Sequence, residues 1–393
     1  MSSRGGAIVV FILIATAIYG AAHFYILRRG WRALEETGPV RAILLVLMIA
    51  CASLFFAGRA LVLRHPGALT GILAAVGYWY LAFFIYLLFL TLAVDLVRLV
   101  DAFFPFFPSG LRSARTGGRL AFALVFGTAF IATMAGTIHA FKLHIRKASV
   151  VLAKPAGSVT SLDAVLFADV HLSPMHRTPF LDRIVDAADA LSPDIVFIAG
   201  DLFSEDTPEG DIEAIAAALR RLRPRFGTFA CLGNHEIFGG VNKARTAFRQ
   251  AGITLLEDEA VLVDDAFYVV GRKDSQAQAA GKRRMSLREI LSDLDASRPI
   301  ILLDHQPVAL KEAEEAAIDL QLSGHTHDGQ LFPVNIINRW IYELNWGPLR
   351  RGKTQFDVTS GAGTWGPPVR LGSTSEIVHF KIRFGGTAVD NAR

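Results

Sequence analysis

The sequence predicts two parts: an N-terminal region of four membrane-crossing helices and a C-terminal α/β domain of layered sheets and helices. Apolar residues make up 52% of the 393-residue chain, too many for an ordinary soluble protein, and the excess lies before about residue 145. From about residue 159, short apolar runs of strand length alternate with amphipathic stretches of helical spacing. Five of those runs end in polar clusters, and strand ends are where open α/β sheets form their binding crevice.

The membrane part is read over residues 1–147. Its apolar runs, 7–27, 42–63, 68–94 and 120–141, each match the roughly 20 helical residues that cross a hydrocarbon core of about 30 Å. The first run lacks a small-residue cleavage site and continues into Arg28-Arg29, as a signal anchor does. Arg59, near the end of the second run, can snorkel to the interface. No charge sits mid-span, which argues against an ion pathway. Phe103-Phe104-Pro105-Phe106-Phe107-Pro108 cannot be a regular helix and reads as an interfacial re-entry or a packed turn.

Loops after the first and third runs carry Arg28, Arg29, Arg32, Arg41, Arg98, Arg112, Arg115 and Arg119. The opposite side carries Arg4, Arg59, Arg64, Lys142, Arg146 and Lys147. Eight charges against six place the C-terminal domain outside the cytoplasm of a multi-pass cell-membrane protein. The net charge of +4 is thus a topology signal, and no nucleic-acid partner is expected. The two cysteines, Cys51 and Cys231, make no disulfide framework, and Cys231 reads as a small buried hydrophobe.

Residues 148–158, with Pro155, Ala156 and Gly157, read as a linker, 159–385 as the domain and 386–393 as a flexible tail. Leu162–Ala168 ends in Asp169-Val170-His171, and Thr178-Pro179 then opens a helix to about Leu191. Ile195–Ala199 ends in Gly200-Asp201, followed by a helix over 211–222. Thr228–Leu232 ends in Gly233-Asn234-His235-Glu236, with a helix at 243–251. Ser286-Leu287-Arg288-Glu289 is a capping box for a helix ending before Pro299. Ile300–Leu303 ends in Asp304-His305, and Leu320–Ser323 in Gly324-His325-Thr326-His327. Runs at 262–271, 357–360 and 376–384 look antiparallel and suit a second sheet.

The clusters offer Asp169, His171, Asp201, Asn234, His305, His325 and His327 as metal ligands. Mixed imidazole and carboxylate donors suit two divalent ions such as manganese, zinc or iron rather than calcium. Seven donors exceed one tetrahedral ion but suit two ions sharing a carboxylate, the arrangement that activates water against phosphorus. With only two carboxylates in the set, two divalent ions leave a positive surplus for an anionic phosphoester. His235 beside Asn234 is the candidate proton donor to the leaving oxygen.

Asp169-x-His171, Gly200-Asp201, Gly233-Asn234-His235-Glu236, His305 and Gly324-His325-Thr326-His327 together resemble the signature of the calcineurin-like metallophosphoesterases. The resemblance covers about 158–385 and implies a four-layer α-β-β-α sandwich with a dinuclear site at the strand ends. It implies that Asp169, His171 and His327 hold one metal, and Asn234, His305 and His325 the other. Asp201 would bridge, and His235 would face the leaving group. The tail Gly361-Ala362-Gly363-Thr364-Trp365-Gly366-Pro367-Pro368-Val369-Arg370 is similar to the membrane-associated branch, in which Asp328 is usually glycine. Asp328 is read as a carboxylate that orients His327 or alters the site's charge.

The expected activity is hydrolysis of phosphate mono- or diesters by water activated on two metal ions. The alternatives are a UDP-diacylglucosamine pyrophosphatase-like enzyme of lipid A synthesis and a non-catalytic membrane sensor. Segment 331–349 bears on the substrate. Phe332, Ile336, Ile337, Trp340, Ile341, Leu344 and Trp346 are flanked by Arg339, Arg350, Arg351 and Lys353. It reads either as an interfacial element admitting a lipid or nucleotide-linked lipid, or as a lid packed on the core.

Overall fold

This computed structural model describes residues 3–65, 67–113, 115–173 and 178–386, without the side chains at 3–9, 11, 12 and 36. All but the first residue of the expected tail, 386–393, lies outside the described residues. The chain divides into two compact units, one of residues 1–61 and 72–135 and one of 62–71 and 136–393.

The first unit is helical: α1 (Ser3–Ala33), α2 (Pro39–Arg64), α3 (Ala68–Phe103), α4 (Ser109–Arg112) and α5 (Thr116–Ala140). Among the described residues three helices, α2, α3 and α5, are long and apolar enough to cross a membrane. The first expected run lies within α1, partly outside the described side chains. Outward residues such as Val46, Ile72 and Ile131 are exposed, as suits helices solvated by lipid. α3 outlasts its apolar run by a further nine residues, 95–103. There Asp95 pairs with Arg29, and Asp101 accepts from Phe106 N at 2.8 Å and Phe107 N at 2.7 Å. Those bonds close the turn at the Phe-Pro segment, yet Phe103, Phe104 and Phe106 remain exposed.

The second unit runs β1 (Leu143–Leu152), β2 (Ser161–Phe167), α6 (Thr178–Asp189), β3 (Ile195–Ala199), α7 (Ile212–Leu219), β4 (Thr228–Cys231), α8 (Asn234–Gly239) and α9 (Val241–Ala251). It continues with β5 (Thr254–Leu255), β6 (Glu259–Val263), β7 (Phe267–Gly271), α10 (Gln276–Ala279), α11 (Leu287–Ile290), β8 (Ile300–Leu303) and α12 (Leu310–Glu315). Last come β9 (Leu320–Ser323), α13 (Val334–Ile341), β10 (Gly347–Arg351), β11 (Thr354–Val358) and β12 (Ser375–Phe384). The strands form two six-stranded mixed sheets, ordered β1-β12-β2-β3-β4-β5 and β10-β11-β9-β8-β7-β6.

Apolar packing puts one core between the sheets, joining Leu166, Phe197, Cys231 and Phe380 to Val269, Ile301, Leu303 and Leu322. A second core covers the first sheet with α6, α7 and α9, through Leu181, Ile184, Ile215, Leu219, Ala244 and Phe248. A third covers the second sheet through Leu287, Leu310 and Ala313. Strands buried on both faces read as unbroken apolar runs, which is why Ile195–Ala199 shows no alternation.

The structure corrects the sequence reading in several places. The five strands ending in polar clusters are divided, with β2, β3 and β4 in one sheet and β8 and β9 in the other. β12, expected in the second sheet, lies in the first, antiparallel to β2 and parallel to β1. β11 is parallel to β9, while 262–271 falls in the β6–β7 hairpin. Residues 148–158 begin inside β1, where Val150 and Leu152 alternate into the inter-sheet core. Arg146, counted above as a flanking charge, lies on β1 with its guanidinium on Asp357 (2.5 Å) and Glu376 (3.2 Å). The capping box forms, but α11 stops at Ile290, and Asp295 then takes bonds from Ser297 N and Oγ that favour a turn.

Candidate metal centre

Each candidate residue lies two to four residues beyond the end of a strand. β2, β3 and β4 pair in parallel, Phe167 opposite Ile198 and Ala199 opposite Cys231, so their ends deliver Asp169, Asp201 and Asn234 to one edge. β8 and β9 are likewise parallel, Leu303 opposite Leu322, and deliver His305, His325 and His327. Asp169, His171, Asp201, His325 and His327 all have positive φ, between 51° and 74°. That region is unfavourable for side chains with a Cβ, so the surrounding structure holds five site residues under local strain.

Asp169, His171, Asp201, Asn234, His235, His305 and His327 are buried and His325 is half-buried. Asp169, His171 and His327 offer ligand atoms within 4.8 Å of one another, and so do Asp201, His305 and His325. His171 Nε2 faces His327 Nε2 at 3.0 Å. Asp201 Oδ2 lies 3.0 Å from His305 Nε2 and 3.9 Å from His171 Nε2. Asn234 Oδ1 lies 3.2 Å from His305 Nε2, whose Nδ1 is 2.7 Å from Ala199 O.

This donor set fits cations. His305 Nδ1 must donate to the Ala199 carbonyl, so Nε2 directs its lone pair, or a proton, at two oxygen acceptors. Two imidazole Nε2 atoms at 3.0 Å likewise require a proton or a cation between them. Burial opposes a charge on His305, yet Asp201 overrides it and raises the imidazole well above its usual range. Burial also pushes Asp169 up to about 7, and holds His325 down to about 3 and His327 well below its usual value. Neutral imidazoles and carboxylates short of counter-charge are what a divalent ion accepts as ligands. Asp201 would also rise through burial, but His305 and then His171 and His235 hold it below the usual carboxylate range.

His235, the second residue of α8, donates its backbone N–H to Asp201 Oδ1 at 2.8 Å. Its Nδ1 lies 3.1 Å from Glu205 Oε1, an ion-pair distance without well-directed hydrogen-bond geometry. Burial lowers the His235 pKa, but Glu205 and then Asp201 outweigh it, and the net shift is upward.

Residues 163–329 match the family model for calcineurin-like phosphoesterases. An uncharacterized metallophosphoesterase of Aquifex aeolicus is 34% identical over 265 residues, 65% of this chain and 99% of its own length. The chain belongs to the calcineurin-like metallophosphoesterases. An uncharacterized metallophosphoesterase of Helicobacter pylori (strain J99) is 32% identical, over 56% of this chain and 60% of that one. The Danio rerio transmembrane protein with metallophosphoesterase domain is 33% identical, over 58% of this chain and 54% of that one. The chain thus spans little more than half the length of these last two relatives.

Three residues of this metallophosphoesterase acquire roles that the sequence did not show. Glu236, given no role above, is buried and takes backbone N–H bonds from Gly233 (2.7 Å), Phe203 (2.9 Å) and Asp201 (3.0 Å). It thereby ties the Asp201 loop to the start of α8. Glu236→Ala is expected to cost about 3 kcal/mol, since it strands buried donors, and thermal unfolding of the purified chain in detergent measures this. Arg370 is wholly buried and donates to the carbonyls of Ser360 and Gly363 at 2.6 Å and of His327 at 3.2 Å. It clamps the His327 turn from behind, and appeared in the sequence only as the end of a tail motif. Glu205, beside His235, lay in no recognised cluster. Asp328 pairs with Asn345 Nδ2 at 2.5 Å, and its own backbone N–H is taken by Thr326 Oγ1.

Gly233 shows why the spacing is strict. A Cβ there would stand 2.2 Å from Asp201 Oδ1 and 2.7 Å from Asp201 N. Gly233→Ala is therefore expected to displace Asp201 and lower kcat by about a hundredfold, the scale of loss for a 1 Å misplacement. Steady-state rates and bound-metal content of the variant test this, and an unchanged rate would refute the crowding argument.

Proposed function

We propose that this chain is a membrane-anchored phosphoesterase whose site holds two divalent ions. Asp169, His171 and His327 would hold one, and Asn234, His305 and His325 the other, with Asp201 between them. One observation carries this reading: Asp201 Oδ2 reaches toward both clusters, 3.0 Å from His305 and 3.9 Å from His171. When bound, the ions would supply positive charge for a phosphate and lower the pKa of water at the site. The residues of the chain have separate tasks. His235 holds a proton for the departing oxygen, and Glu205 keeps its ring turned. The Asp201 loop is held rigid by Glu236.

Four spans and a multi-pass arrangement with the domain outside the cytoplasm are part of this proposal, with β1 taken into the domain in place of a linker over 148–158. The α-β-β-α sandwich is supported by three apolar cores, one of them between the two sheets. The test is a panel of phosphomonoester, phosphodiester and pyrophosphate substrates, assayed with manganese, zinc and magnesium on the full chain in detergent. Hydrolysis of an aryl phosphodiester with two ions per chain is expected. No turnover with any metal, and no bound ion by elemental analysis, would overturn the proposal in favour of a non-catalytic sensor.

A further inference from the structure

α13 is amphipathic in the reverse sense. A surface helix ordinarily buries its apolar stripe and shows its polar face to water. Here Asn335 is the buried residue, and Asn338 Nδ2 donates to Thr326 O at 3.0 Å. Ile336 and Ile337 are exposed, Trp340 is 83% exposed and Ile341 66%, and Phe332 is exposed just ahead of the helix. Positions 336, 337, 340 and 341 recur at helical spacing, so they form one outward stripe, with Phe332 exposed ahead of it. Leaving such side chains in water forgoes about 1.5–3 kcal/mol each, and a contiguous stripe of them marks a surface that something covers.

The same chain provides the covering phase. α5, long and apolar enough to cross a membrane, is followed after only Phe141 and Lys142 by β1, so a bilayer is tethered to this unit. Exposed Arg339 lies on the helix, and exposed Arg350 and Lys353 on the hairpin that follows, the cationic flank expected beside anionic headgroups. The opposite side of the helix adjoins the site. The Asn338–Thr326 bond ties α13 to the His325-Thr326-His327 turn, and the Tyr342 ring stands 6.0 Å from that of His325. Trp365, 57% exposed, and Phe238, 60% exposed, stand 6.0 Å and 6.5 Å from the His235 ring.

We propose that the outward stripe of α13 docks into the headgroup and acyl boundary of a lipid bilayer, and that the phosphoester taken by the adjacent site is a lipid drawn from it. This rests on the membrane-anchored phosphoesterase reading above and names its substrate class. The aromatic rim of Trp365 and Phe238 then receives the apolar part of the lipid, while the buried histidines and carboxylates receive its phosphate.

The test uses the full chain in nanodiscs of phosphatidylcholine with brominated acyl chains. Quenching of tryptophan emission is expected, and the Trp340→Phe variant should lose a distinct quenched component. In detergent, dioleoyl phosphatidate should compete with an aryl phosphodiester. The Trp340→Ser/Ile341→Ser variant should weaken that competition at least tenfold while leaving aryl phosphodiester turnover unchanged. Loss of turnover on the soluble substrate as well would reduce α13 to a structural element and overturn the proposal. Unquenched Trp340, together with a dimer that the double variant dissociates, would assign the stripe to a second copy instead. Quenching does not depend on turnover, so an inactive protein with quenched Trp340 would refute the phosphoesterase reading and leave the docking intact.

Discussion

Asp201→Ala is expected to abolish manganese-dependent hydrolysis of an aryl phosphodiester, with kcat falling at least about 10³-fold, because it removes the one carboxylate both ions would share. The geometry makes this residue hard to replace. One oxygen of Asp201 faces His305 and His171, and the other takes the backbone N–H of His235, so both halves of the site lose their common anchor. Its carboxylate is also the one that neighbouring imidazoles keep ionised despite burial. Initial rates and elemental analysis of the variant measure the effect, with metal content expected to fall below two ions per chain. Turnover retained near the wild-type level would eliminate the two-ion arrangement.

His235→Ala should behave differently. Loss of a proton donor costs about 10²–10⁴ in rate while metal content stays at its wild-type value. The His235 ring lies 4.7 Å from that of His171 and has Glu205 Oε1 at 3.1 Å from its Nδ1, a geometry suited to holding a proton. His235 also offers a ligand atom within 4.8 Å of those of His171 and Asp201, so metal ligation is the competing role. Elemental analysis separates the two. Metal lost along with activity would make His235 a ligand. A second comparison sharpens the assignment: the rate deficit of His235→Ala should shrink on substrates with a more acidic leaving group, which departs without a proton.

The strand-end clusters were legible because strand ends leave a simple mark, an apolar run cut off by Asp, Asn or His. Each run is buried on both faces, so its composition alone declared it a strand. Glu236 was not legible, because its partners are backbone N–H groups of a loop 33 to 35 residues away in sequence as well as Gly233 nearby. Arg370 escaped for the same reason, its acceptors being carbonyl oxygens that every residue possesses. The amphipathic pattern at 336–344 was visible, but a periodicity shows that two faces exist and not which of them turns inward.

Residue order by itself determined the apolar N-terminal region, the strand-to-helix alternation and the eight side chains of the candidate site, since these depend on local composition and spacing. Tertiary structure alone decided that the site draws on two sheets, that β12 joins the first of them, and that Asn335 and not Trp340 faces the domain. These are outcomes of long-range pairing and packing: one strand pattern suits either sheet, and an apolar helix face goes wherever another apolar phase is at hand.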